Sequence, residues 1–147
     1  MSTEQNKAIA RRIPLEVFEQ GRLAVIDEIV APDVKEHGEP PPGMPAGREG
    51  LKAVVSEMRK GFPDLKFSVD LQVAEGDFVA GYSTVSGTHK GEAFGMPATG
   101  KRAEWAETHI VKIVNGKITE HWGVIDQLGM LRQLGLAPTP QAVTAGR

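Results

Sequence analysis

Arg102-Ala-Glu-Trp-Ala-Glu-Thr-His-Ile-Val-Lys-Ile-Val114, then Asn115-Gly116, then Lys117-Ile-Thr-Glu-His-Trp-Gly-Val-Ile-Asp126, reads as two long strands about one tight turn. Asn-Gly is the strongest short hairpin signal, because a type I′ turn needs φ > 0 at both central residues. A two-residue turn sets Val114 opposite Lys117, and the pairing then runs outward. Ile113 meets Ile118, Val111 meets Glu120, His109 meets Trp122, Glu107 meets Val124 and Trp105 meets Asp126. Side chains alternate across a strand, so this register puts all of these residues on one face, and His121 on the other. The first face runs from aliphatic at the turn to aromatic and ionisable at the far end. An apolar wall carrying a few convergent polar groups is the composition of a small-molecule pocket.

Upstream of the hairpin, Phe67, Val69, Leu71 and Val73 alternate with polar residues, and Glu75-Gly76 turns the chain into a strand over 78–88 that carries Tyr82. A glycine-rich connection follows from Gly87 to Gly100; it lacks the Gly-Lys-Ser/Thr ending of a phosphate loop. Before the strands, apolar residues at helical spacing predict helices over about 4–20, 22–29 and 48–60. Pro14 interrupts the first and should kink it or start a fresh turn. Four prolines and two glycines between Glu39 and Gly47 mark a loop, read as a rim or lid. A short helix over 127–134 stops at Gly135. Three helices, a mostly antiparallel sheet of about four longer strands and a helical cap make an α+β cone or roll. The domain is expected to span 1–137, with 138–147 a flexible C-terminal tail.

The 147 residues carry 17 basic against 19 acidic side chains, a net charge of −2. That balance gives no footprint for nucleic acid or an acidic membrane surface. There is no cysteine, which excludes disulfides and thiolate chemistry. The polar first residues are followed by no apolar run of signal-peptide type, and no stretch has the length of a membrane span, so a cytoplasmic protein is expected.

Several short motifs then occur in a telling order. They are Asn6-Lys7 with Arg11-Arg12, Ala31-Pro32-Asp33 with His37, Gly61-Phe62-Pro63-Asp64, Gly87-Thr88-His89-Lys90-Gly91, Thr99-Gly100-Lys101, Gly116-Lys117-Ile118-Thr119-Glu120-His121-Trp122, Asp126 and Gln133-Leu134-Gly135. Together, over about residues 6 to 135, they resemble the SnoaL-like polyketide cyclases of the nuclear-transport-factor-2-like superfamily. The resemblance implies a cone with a deep pocket between helices and curved sheet, often a homodimer, and chemistry without a cofactor. It implies an intramolecular aldol addition that closes the last ring of a polyketide ester, with an acid/base aspartate. Asp126 is the position that best matches that aspartate. Pro14 and Ala98 depart from the family pattern, and both bear on cavity shape. The wider family includes other chemistries, which keeps alternatives open: another acid/base reaction (hydrolase, dehydratase or isomerase) on a small apolar substrate, or non-catalytic binding of a small ligand.

The candidate catalytic residues are Asp126 and His109. Asp126 is equally placed to cap the final helix, and His109 to be a hydrogen-bonded core histidine. Candidate substrate contacts are Trp105, Glu107, Trp122, Tyr82, His37 and His89. For the tryptophans and Tyr82 the alternative is core filling, and for Glu107 an exposed strand end. His37 and His89 stand beside glycine-rich loops, where sites are commonly built. His121 is expected at the surface or in a dimer contact. No histidine pair has a His-x-x-x-His spacing, so no metal is expected.

Overall fold

The computed structural model describes residues 1–137; the predicted tail, 138–147, lies outside the described residues. Helix α1, Thr3–Arg12, opens with a capping box: the Ser2 hydroxyl accepts from the Gln5 amide and the Gln5 side chain accepts from the Ser2 amide. Pro14 has no N–H to continue the ladder, and a π-helical segment, Ile13–Glu19, follows. The Arg59 guanidinium donates to the Phe18 carbonyl at 3.0 Å and so satisfies one of the carbonyls at its end. Helix α2, Ala24–Ile29, leads into strand β1, Val30–His37, and the chain returns through α3, Gly47–Gly61. Strands β2, Lys66–Glu75, β3, Phe78–Thr88, β4, Arg102–Val114, and β5, Lys117–Ile125, precede the short α4, Gln127–Gln133.

The sheet has the order β1-β5-β4-β3-β2. Every neighbouring pair is antiparallel except β1 with β5, which is parallel. Ala31-Pro32-Asp33 is expected to stop α2, and no strand range is predicted for the residues that follow. The stop is correct, but the residues after it extend along the free edge of β5, where unpaired backbone groups offer a template.

One face of the sheet carries the core. Val17, Ile26, Val55, Val79 and Ile113 pack at the turn end of the hairpin. Phe62, Val85, Trp105, Met130 and Leu134 pack at the other, closed by α4. The opposite face carries exposed Leu71, Val73, Phe78, Tyr82, Ile110 and Val124. Tyr82, expected in the core or the pocket, is 45 % exposed on this outer face.

Bulges in two strands decide which residue faces which way. In β2, Val69 pairs with Ser83 but Leu71 with Tyr82, so Asp70 is an extra residue. The uniform alternation read for Phe67, Val69, Leu71 and Val73 therefore breaks: Phe67 points into the core, while Leu71 and Val73 point out. In β5, Ile113 pairs with Ile118 but Lys112 with Glu120, so Thr119 is extra. The Asn115-Gly116 turn and its first pairs are as predicted, with φ of 51° and 76°. Beyond Thr119, however, every β5 side chain changes face, because the strand period is two. His109 pairs with Gly123, not Trp122; Val111 pairs with His121; Glu107 pairs with Ile125, not Val124.

Candidate functional site

The swap at Thr119 removes Trp122 from the inner face and brings in His121. Inner-face side chains of β4 and β5, with one from β1, then form a continuous hydrogen-bonded array. The Trp105 indole N–H donates to Glu107 Oε2 at 2.8 Å. Glu107 Oε1 lies 2.8 Å from His109 Nε2, and His109 Nδ1 lies 2.8 Å from His121 Nε2. His121 Nδ1 meets Glu36 Oε1. Trp105 and Glu107 are buried, whereas the side chains of His109 and Glu36 are 38 % and 47 % exposed. The array thus runs from the core to the surface.

Local sequence explains why the rings fit. His109 is flanked by glycine on both neighbouring strands, Gly81 on β3 and Gly123 on β5. A Cβ at Gly123 would sit 2.7 Å from His109 Nδ1 and 3.0 Å from His121 Cε1, so only glycine leaves room for the two imidazoles, which stack at 5.0 Å. Glu107 is a carboxylate removed from water, which needs its oxygens occupied. Trp105 and His109 occupy one each, so Glu107 fixes the orientation of the imidazole it touches.

Asp126 is exposed and caps α4, its Oδ1 accepting from the Gly129 amide at 2.9 Å. Gly129 permits this approach, since a Cβ there would lie 2.3 Å from Asp126 Oδ2. Asp126 makes no hydrogen bond to the His109 array among the described residues; the extra residue Thr119 shifts it from its predicted place opposite Trp105 to one beside Ala106, whose carbonyl accepts from the Asp126 amide at 2.9 Å. His37 and Trp122, expected in the pocket, are partners of each other on the outer face. Their rings stack at 4.4 Å and 3°. His37 also contacts Glu120 Oε2 at 2.7 Å, which lowers the Glu120 carboxyl below the usual carboxylate range. Trp122 lines an outer groove of about 580 Å³ with Val73, Phe78, Ala80 and Ile110. His89 is fully buried at the far end of the core, stacked on Phe62 at 5.3 Å, with Nδ1 3.1 Å from the Thr99 hydroxyl.

Of the residues expected in the site, Trp105, Glu107 and His109 are brought together; Tyr82, Trp122 and His37 lie across the sheet, and His89 lies within the core. Glu36 and His121 join the array although the sequence reading places neither in the site. Reading β1 as a strand would have revealed Glu36, and no local signal announces the bulge that turns His121 inward. Among the described residues no cluster of histidine and carboxylate groups is arranged to hold a metal ion, and no helix is long and apolar enough to cross a membrane.

The sequence model of the SnoaL-like polyketide cyclases matches residues 8–134. The nogalonic acid methyl ester cyclase of Streptomyces nogalater is 32 % identical over 119 residues, covering 80 % of this chain and 89 % of that protein. Among solved structures, TsrD from Streptomyces laurentii superposes with a TM-score of 0.83 at 27 % identity, covering 93 % of this chain and 99 % of that one. AclR, a proposed hydroxylase of Streptomyces galilaeus, superposes with a TM-score of 0.80 at 31 % identity, covering 94 % and 89 %.

Proposed function

The chain belongs to the SnoaL-like polyketide cyclase family, and from that premise we propose that it closes a ring of a polyketide methyl ester by intramolecular aldol addition, using acid/base groups and no cofactor. The observation that carries this reading is the half-open His109, oriented by a buried carboxylate that is itself held by Trp105. A structural histidine does not need a second buried ionisable group to aim it.

In this mechanism Asp126 takes a proton from a carbon flanked by electron-withdrawing groups, already acidic enough for a carboxylate base. One Asp126 oxygen serves the helix cap, and the other is left for the proton. His109 donates to the carbonyl oxygen as it becomes an alkoxide. Both ring nitrogens of His109 have partners, so a bound carbonyl must replace one of them. We assign that place to Nδ1, whose partner His121 is part-exposed, rather than to Nε2, whose partner is buried. Nogalonic and aklanonic acid methyl esters, named for the relatives, are the substrates to try first. We further propose that a second copy of the chain covers the apolar outer face of the sheet, and that the protein acts in the cytoplasm.

Steady-state turnover of these esters by His109→Gln and Asp126→Asn tests the assignment. Asn caps helices as well as Asp, so Asp126→Asn keeps α4 while removing the base. Each variant is expected to lose about 10²-fold or more in kcat. Unchanged kcat in either removes that residue from the mechanism.

A further inference from the structure

The contacts joining Glu107, His109, His121 and Glu36 set a proton count. An imidazole nitrogen facing a carboxylate oxygen or another ring nitrogen makes a hydrogen bond only if one of the two atoms carries a proton. Such contacts occur three times in the array, at Glu107–His109, His109–His121 and His121–Glu36. Neutral imidazoles supply one proton each and carboxylates none, so two of the contacts can be satisfied and the last cannot. Satisfying all three contacts at once therefore takes one proton more than neutral imidazoles and carboxylates supply. That proton can reside on His121, on His109, or on either carboxylate as an acid. Each placement satisfies all the contacts and leaves the array with a net charge of −1 instead of −2.

We infer that Glu36 and His121 are positioning residues that return a proton from solvent to His109, through this shared excess proton, after each turnover. The inference rests on the acid/base reading above. Aldol addition consumes no proton overall, but it leaves the two groups exchanged: Asp126 has gained the proton of the carbon acid, and His109 has lost one to the alkoxide. Asp126 is exposed and gives its proton directly to water. When product leaves and His121 regains its place at Nδ1, a proton taken up at the 47 % exposed Glu36 passes through His121 to His109. One proton enters at Glu36 and one leaves at Asp126, so charge and atoms balance. The buried Glu107 holds the far end of the array against Trp105 and needs no route of its own to water.

Glu36→Gln gives a near-isosteric test. The amide this substitution introduces can donate to His121 Nδ1, which lets both imidazoles complete the array in one neutral form, with the proton on Nε2 and no excess proton to move. Ring-nitrogen NMR of histidine-labelled protein, without substrate, is expected to show protonation shared over both nitrogens of His109 and His121 in the unaltered chain. Glu36→Gln should collapse each ring to a single Nε2–H form, and Glu36→Asp should restore sharing. Rings already in the single Nε2–H form in the unaltered protein, or unmoved by Glu36→Gln, would overturn the proton count. That readout stands apart from the cyclase reading, because no ester is involved. In turnover, Glu36→Gln is expected to lower kcat on the order of tenfold or more with KM held; an unchanged kcat would overturn the recharging role.

Discussion

At the scale of single residues, the site depends on what is missing as much as on what is present. His109 and His121 approach within hydrogen-bond distance because Gly123 has no side chain beneath them. Alanine in a strand is ordinarily at least as favourable as glycine, so Gly123→Ala would stabilise the protein if the site were indifferent. It is expected instead to destabilise by about 1–3 kcal/mol through overpacking, and to lose the His109–His121 hydrogen bond. Thermal or denaturant unfolding, together with the His ring resonances, checks both effects. Asp126 shows how one residue carries two readings. The helix-cap expectation is met in full by the bond to Gly129, while its acid/base role stays a proposal resting on family position.

At the scale of elements, what is legible in the sequence divides at the bulges. Helix α3, strands β2 to β5 and the Asn115-Gly116 turn follow from hydrophobic period and turn chemistry, both local properties. Facing is not local. One extra residue, Thr119, inverts everything after it in β5, and Asp70 does the same in β2. An insertion of this kind is stabilised by the curvature the whole sheet must adopt to wrap the core, so it leaves little trace in an alternating sequence. Trp105, Glu107 and His109 are placed together correctly because all three lie on β4, with no bulge between them. Trp122 is misplaced because it lies beyond one. Strand β1 escapes notice for a related reason: Pro32 and charged residues lower its β-propensity, and its pairing is supplied by the edge of β5.

The turn after α3 is held to the end of β3 by Asp64, which accepts from the Thr88 amide at 2.7 Å and the Thr88 hydroxyl at 2.8 Å. These bonds hold its carboxyl below the usual carboxylate range. A lowered native pKa means the unfolded chain binds the proton more readily, so the Asp64 contribution is full above its unfolded value of about 3.9 and is lost as pH falls through the native one. Asp64→Ala should therefore lower Tm at pH 7 and lower it much less near pH 2. A Tm difference that does not narrow with acidification would contradict the assignment.

At the scale of the whole molecule, the sheet separates two chemistries. Its inner face grades from aliphatic core to the array that ends at Glu36. Its outer face presents Leu71, Val73, Phe78, Ile110 and Val124, an apolar surface of the kind that marks association in soluble chains. Val124, 75 % exposed, faces away from the inner array. On the proposal that a second copy covers this face, Val124→Lys is expected to shift sedimentation toward monomer with His109 chemistry retained. A sedimentation profile identical to the unaltered chain would place any self-association elsewhere.

The proposed mechanism puts the aromatic ester beside His109 and Ile125 on the inner face, and the Trp122–Phe78 groove on the outer face is the competing place for it. A crystal structure of the chain with bound nogalonic acid methyl ester distinguishes them directly. The ester is expected on the inner face, its carbonyl within hydrogen-bond distance of His109 and its acidic carbon toward Asp126. An ester seated only against Trp122 and Phe78 on the outer face would contradict the account of where, and by which residues, this protein acts.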